Sequence, residues 1–322
     1  MTSIRGKIRG NTIILETNTT FEDGQEVEVS LHPIQQIAVP DNVDFTIRGS
    51  DGNPISTLNQ WFRFAPPKKR EKHWKDGRSA KELARSWLSG GVAAMPGSVV
   101  SLLDSNEATK GFLPQVGYAE FVTRLDAFSG EHRNHDLIVM GTADAKPTLL
   151  AIEAKADEAF GPYIGPYYNA RSRVQGSNLP TRVGNLSEMI FSTRYSGDES
   201  SLSIGNLRYQ LLTAVAGAAI EAATRGAEQV ILLVQEFTSM PDLDRGLLGT
   251  NPARIRANES DLVNFLREMN QRLGVEIDIP ADHSDFLIGP FPLKGRGVVP
   301  KDFPLFVGKV STSINGDALT AV

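Results

Sequence analysis

The chain has 322 residues, 40% of them apolar, with 38 acidic side chains against 33 basic ones and a formal net charge of −5. That length holds one large domain or two ordinary ones around a substantial core. Cysteine is absent, which excludes disulfides and thiolate metal ligands and suits a reducing cytoplasm.

No apolar run approaches the roughly 18–20 residues that a membrane-spanning helix needs. The opening Met1-Thr2-Ser3-Ile4-Arg5-Gly6-Lys7 has no apolar stretch of the secretory kind. A cytoplasmic protein without membrane contact is therefore expected. The mild acidity does not advertise nucleic-acid binding, but contact with phosphate needs only a local basic face.

In chain order, Thr12-Ile13-Ile14-Leu15 and Glu26-Val27-Glu28-Val29-Ser30-Leu31 are β-rich, with Asp23-Gly24 supplying turn chemistry between them. They make residues 1–37 a small β-hairpin module. The alternation is similar to the swapped hairpins of AbrB-like proteins, a likeness that implies a homodimer and DNA binding; an accessory β module is the simpler reading. Residues 38–70 hold Pro40, Gly49, Gly52, Pro54, Pro66 and Pro67 and read as a linker or irregular β extension. Within it, Phe45, Trp61, Phe62 and Phe64 could pack onto the main domain, which is placed at 71–322.

A basic run follows: Lys68, Lys69, Arg70, Lys72, Lys75, Arg78, Lys81 and Arg85. It suits a solvated linker and helix face as well as it suits phosphate. Ser79-Ala80-Lys81-Glu82 reads as a capping box opening a helix with Leu83, Ala84, Trp87 and Leu88 at helical spacing, stopped by Gly90-Gly91. Three strands come next, near Tyr118–Leu125, at Asp136–Met140 closed by Gly141, and at Pro147–Glu153, close enough to pair as a meander. The stretch from Gly161 to about Gly205 has no sustained period and reads as a long functional loop with helical pieces. A buried helix over 207–223, a buried strand at Val230–Val234, a helix near Asp261–Leu273 and strands near Phe286–Phe291 and Leu305–Val310 complete the chain.

The acids and one lysine sit at the ends of these strands. Asp136 opens one apolar strand, and Glu153 and Lys155 end the next, in Ala151-Ile152-Glu153-Ala154-Lys155. Residues two apart on a strand face the same side, so Glu153 and Lys155 project together. Charges placed after apolar strands are costly to bury unless something satisfies them. A hard divalent cation would, because magnesium accepts a few carboxylates and keeps several waters. The lysine could then orient or deprotonate an attacking water.

Asp136 followed by Glu153-Ala154-Lys155, on the second and third strands of an αβββαβ order, resembles the PD-(D/E)XK nuclease superfamily. Trp74-Lys75-Asp76-Gly77-Arg78-Ser79-Ala80-Lys81-Glu82-Leu83-Ala84 and Glu153-Ala154-Lys155-Ala156-Asp157-Glu158-Ala159-Phe160-Gly161 are similar to runs in a bacterial family assigned as nuclease-like by motif. The resemblance covers about residues 73–236. His135 stands where the motif carries its proline. The resemblance implies an α/β, restriction-endonuclease-like core with a mixed central sheet and metal-dependent phosphodiester hydrolysis. It also implies magnesium or manganese on Asp136 and Glu153, with Lys155 serving the water, DNA as the substrate before RNA, and, by analogy, defence against foreign DNA.

Secondary candidates are Glu120, as a further carboxylate or an exposed strand start, and Gln210, which matches a glutamine that exonuclease branches carry at that helix start. Glu82 is an extra ligand or a capping residue; Asp157 and Glu158 are supporting groups or helix-start acids. His132 and His135 read as loop residues. Lys75, Arg78, Arg171 and Arg173, with Tyr163, Tyr167 and Tyr168, could clamp and stack on a nucleic-acid strand. The rival readings are an inactive nucleic-acid-binding module, an AbrB-like regulator or antitoxin, and an enzyme for a small phosphorylated ligand.

Overall fold

The computed structural model describes residues 6–9, 12–15, 45–239, 249–280 and 284–314. The chain divides into two compact units, Met1–Asp41 and Asn42–Val322. In the first, β1 (Gly6–Arg9) and β2 (Thr12–Leu15) form an antiparallel ladder pairing Gly6 with Leu15 and Arg9 with Thr12. The expected strand at Thr12–Leu15 is present, and its partner is the segment before it. The Glu26–Leu31 strand and the Asp23-Gly24 turn lie outside the described residues.

The second unit begins with β3 (Thr46–Arg48), β4 (Pro54–Ile55), α1 (Leu58–Phe64) and α2 (Ser79–Trp87). The small hairpin β5–β6 (Leu88–Ser89 and Val92–Ala93) and α3 (Gly97–Leu103) lead to three long strands, β7 (Leu113–Thr123), β8 (Arg133–Ala143) and β9 (Lys146–Lys155). Four helices follow: α4 (Ile164–Ser172), α5 (Leu179–Phe191), α6 (Leu202–Gly205) and α7 (Tyr209–Thr224). Then come β10 (Gln229–Thr238), α8 (Pro252–Leu273), β11 (Phe286–Leu293) and β12 (Phe303–Ser313).

The fold is α/β with a mixed eight-stranded sheet in the order β11-β12-β10-β9-β8-β7-β3-β4. The meander is present: β7, β8 and β9 pair antiparallel in sequence order. β10 runs parallel to both β9 and β12, so α4–α7 form the crossover that a parallel pair requires. The run Val230-Ile231-Leu232-Leu233-Val234 is buried throughout, as expected of a central parallel strand covered on both faces.

Alternation along the strands sorts the core into two layers. Ile138, Leu149, Ala151, Val230 and Leu232 face α5, α7 and α8, packing with Leu212, Val215, Ile190 and Phe265. Leu137, Val139, Leu150, Ile152, Ile231 and Leu233 face the other way, onto Trp61, Leu83, Trp87 and Val99 of α1–α3. Each such valine, leucine, isoleucine or phenylalanine contributes about 1.5–3 kcal/mol on burial. A one-residue slip would exchange the two sets, so the hydrophobic pattern holds the register.

Of the two readings of residues 38–70, the β extension is the one present over 45–66: β3 pairs parallel with β7, and Trp61 of α1 is buried, with Phe45 and Phe64 packed against the same layer. Two expectations are corrected here. Gly90-Gly91 form the turn of the β5–β6 hairpin, both with positive φ (59° and 79°), and the helix before them has already ended at Trp87. That geometry is the one a tight hairpin turn asks of its central residues. The stretch expected as a long loop, Gly161–Gly205, is mostly helical. α5 carries Pro180 in its first turn and buries Val183, Leu186, Met189 and Ile190 at helical spacing.

Candidate functional site

The carboxyl end of β9 is where charge collects. Glu153 and Lys155, 1% and 3% exposed, lie on the α7 side of the sheet. Gln210, in the first turn of α7, donates to Glu153 Oε1 at 2.6 Å, and Lys155 Nζ sits 5.1 Å from the centre of the Phe160 ring. Lys155 donates to the same oxygen of Glu153, while Arg133, at the start of β8, donates to Glu153 Oε2. Both oxygens of this buried carboxylate are thus satisfied by cations and an amide, as a buried charge requires.

Asp136 joins from the neighbouring strand. The β8–β9 ladder stops at Leu137 opposite Ile152; beyond it, Asp136 Oδ2 accepts a hydrogen bond from the Ala154 amide at 2.7 Å. Burial raises the Asp136 carboxyl above its usual range, and the charges of Lys155 and Arg133 pull it back. Burial lowers the Lys155 ammonium from its usual value, opposed by Asp136 and Glu158. The three residues singled out from the sequence therefore share one electrostatic cluster.

Glu120 belongs to it too, and not as an exposed strand start. It lies inside β7, half-buried, in the left-handed region with φ +49°, where the irregularity turns its carboxylate onto Asn134 Nδ2 at 2.5 Å. Burial and the charge of Asp136 push the Glu120 carboxyl up to about 8. Left-handed backbone at a glutamate is uncommon and marks a position held by its surroundings.

His135 is no loop residue. It is fully buried in β8 against Gly217 of α7, where an added Cβ would lie 2.9 Å from His135 Nε2. Neither ring nitrogen has a hydrogen-bond partner among the described residues, and burial, then the charge of Arg133, holds its pKa well below the usual histidine value, which favours the uncharged ring. His132, just before β8, faces the Leu125 amide through Nδ1 at 3.3 Å.

The loop after β9 is pinned from two sides. Glu158 accepts from the Ala156 and Asp157 amides at 3.0 and 2.9 Å and from the Ser79 hydroxyl. Burial opposes its charge, but Lys155 and these donors hold its pKa below the usual value. Arg78 bonds Asp157 at 2.6 Å, and Asn258 of α8 donates to the Glu158 carbonyl at 2.9 Å. The capping box expected at Ser79–Glu82 is accordingly absent: Arg78 occupies the N-cap position, and the Ser79 hydroxyl serves a carboxylate instead. Glu82 accepts from the Gly77 amide and from Arg85, which satisfies it away from the cluster. The reciprocal box that does exist is Thr57–Gln60 on α1.

Lys69, Arg70, Lys72, His73 and Lys75 are exposed beside Arg78, whereas Lys81 and Arg85 are engaged by Asp76. At the N-cap of α4, Tyr163 carries the Arg208 guanidinium 3.8 Å from its ring centre, and on α4 Arg171 lies 5.6 Å from the ring centre of Tyr167; Arg171 and Arg173 are exposed. Tyr168 packs edge-on against Tyr195 as part of the core. Arg182 is structural, holding Asp126 through both Nε and Nη2. Arg133 was the one member of the cluster missed from the sequence. Its signal is an arginine at the start of a strand that opens Arg133-Asn134-His135-Asp136.

A family model described as DUF6946, a domain of unknown function, matches residues 54–313. The chain belongs to that family. The match takes in every residue of the cluster and runs from β4 to the end of β12. No curated protein and no solved structure matches the chain. Among the described residues, no three His, Asp or Glu side chains converge as a ready-made metal cage, and no helix is long and apolar enough to cross a membrane.

Proposed function

We propose that this protein hydrolyses phosphodiester bonds of a nucleic acid, DNA before RNA, with magnesium or manganese held by Asp136 and Glu153. The observation that carries this reading is a charge balance. Four carboxylates, Glu120, Asp136, Glu153 and Glu158, share a largely buried cluster with two cations, Arg133 and Lys155. With every group ionised, two negative charges are left over, the complement of one divalent ion. Burial raises the carboxyls of Glu120 and Asp136, the latter's charge adding to the shift at Glu120, and a divalent ion would favour the ionised form of both.

The donors are all oxygens, which suits magnesium or manganese, and two carboxylates leave room for water and substrate phosphate. A bound ion would neutralise charge developing at the phosphate. Gln210 orients Glu153, and the Ala154 amide fixes Asp136. Lys155, with its proton loosened by burial, would orient the attacking water or take its proton. The exposed cations from Lys69 to Lys75 shortly precede Arg78, which pairs with Asp157 of the loop after β9, and would serve the phosphates of a polyanion.

The test incubates the purified full chain with linear, circular and single-stranded DNA and with RNA, in magnesium, manganese or EDTA. Asp136→Asn is the control, because its amide oxygen still accepts from Ala154. Metal-dependent cleavage lost in Asp136→Asn is expected; no cleavage of any substrate sinks the reading. A second reading, a binding module without cleavage, is favoured by Glu153 already having two cations of its own. It expects salt-sensitive binding and no metal-dependent products.

A further inference from the structure

The position of Arg133 bears on how the site described above is loaded, and the inference rests on Asp136 and Glu153 being cation ligands. We propose that the Arg133 guanidinium is a built-in competitor for the divalent ion: it holds Glu153 when the ion is absent and has to leave Glu153 for the ion to bind.

Four observations carry this. Arg133 and Glu153 are both almost wholly buried, 5% and 1% exposed, so their pairing is not a solvent-screened surface contact. Lys155 and Gln210 both engage Glu153 Oε1, and Arg133 takes Oε2, so neither oxygen of that carboxylate is without a donor and Arg133 alone stands on the second one. The guanidinium also lies within the electrostatic reach of Asp136 and Glu120, so an ion held by Asp136 and Glu153 would feel its repulsion. Finally, Arg133 Nε has no hydrogen-bond partner among the described residues, so the side chain is anchored at its tip alone. The stem runs over Gly217, where an added Cβ would come within 2.7 Å of Arg133 Cγ. The missing side chain on α7 is what gives this arginine its space.

Lys155 is not the competitor. Its ammonium bonds the Glu153 oxygen that Gln210 also uses, and it lies over Phe160. A residue meant to serve the attacking water has to stay. Arg133 has no such task in the proposed chemistry.

The test uses the full chain and manganese ion alone, measured by titration calorimetry and by thermal unfolding in manganese against EDTA. Arg133→Met keeps the volume of the stem and removes the charge. It is expected to bind manganese about tenfold more tightly than wild type or better, with a larger manganese-dependent rise in Tm. Adding Asp136→Asn to it should abolish the gain. Equal or weaker binding by Arg133→Met overturns the proposal, since Arg133 would then be positioning Glu153 for the ion. A crystal structure of the wild type with manganese needs no variant to fold. The guanidinium is expected away from Glu153, and an ion bound with the guanidinium still on Oε2 overturns the proposal. Manganese binding that depends on Asp136 but ignores Arg133→Met sinks this inference and leaves the nuclease reading standing. No manganese binding by either protein sinks both.

Discussion

Replacing Glu153 by glutamine removes one negative charge from a place where two buried cations depend on it. Arg133 and Lys155 are 5% and 3% exposed and both donate to this carboxylate, so neither can turn to water for compensation. Deleting one partner of a buried ion pair typically costs about 3–5 kcal/mol, because the remaining charge stays buried. Asp136 lies near both cations and offsets part of the loss, which places the expected cost at about 3 kcal/mol. At roughly 2–4 °C per kcal/mol for a domain of this size, Tm should fall by about 6–12 °C. The assay is urea and thermal unfolding of wild type and Glu153→Gln in EDTA, followed by tryptophan fluorescence, since Trp61 and Trp87 are core residues. A variant within about 0.5 kcal/mol of wild type would refute the reasoning, because Glu153 would then not be the counter-charge the geometry makes it. The consequence reaches past stability. Loss of cleavage in Glu153→Ala could not be separated from damage to the fold, which is why Asp136→Asn is the better knock-out.

Three further outcomes follow from the same structure. Asp136→Asn should unfold within about 1 kcal/mol of wild type in urea, since the Ala154 amide keeps an acceptor and burial already disfavours the charge; a loss as large as that of Glu153→Gln would show that its charge is structurally required. Thr57→Ala removes the hydroxyl that caps α1 at the Gln60 backbone amide and should cost about 1 kcal/mol by urea unfolding, with no effect meaning that the packing of Leu58, Trp61 and Phe64 holds α1 without the cap. Burial would raise Asp126, but its bonds to Arg182 hold it below its ordinary value of 3.8. Its contribution to stability is therefore full above that value and is lost as pH falls through the lower folded value. The stability gap between wild type and Asp126→Asn should shrink as pH drops below about 4; a gap that stays constant would rule the ion pair out as its source.

Much of this was legible in the residues because it depends on local periodicity. Alternation located β7, apolar runs located β8, β9 and β10, and helical spacing located α2 and α7, while only the second half of α8 was expected, from Asp261, against its start at Pro252; each pattern is written into neighbouring positions. Glu153 and Lys155 could be placed on one side of one strand for the same reason. The sequence also brought Gln210 forward as a candidate, but its bond to Glu153 joins positions 57 residues apart, and only the packing of α7 on the sheet makes it.

Tertiary structure alone decided the rest, wherever a side chain had two local options and a distant partner chose between them. Ser79 and Glu82 have the spacing of a capping box, yet Ser79 is drawn to Glu158 from 79 residues away. Glu120 reads as a solvated strand start until the bend in β7 turns it toward Asn134 and within reach of the Asp136 charge. Arg133 reads as an ordinary basic residue, and becomes the counter-charge of a buried glutamate because β8 and α7 close over it. Hydrophobic periodicity determines which face of an element is buried. Where a charge ends up depends on which charges the fold brings opposite it, and no local pattern carries that information.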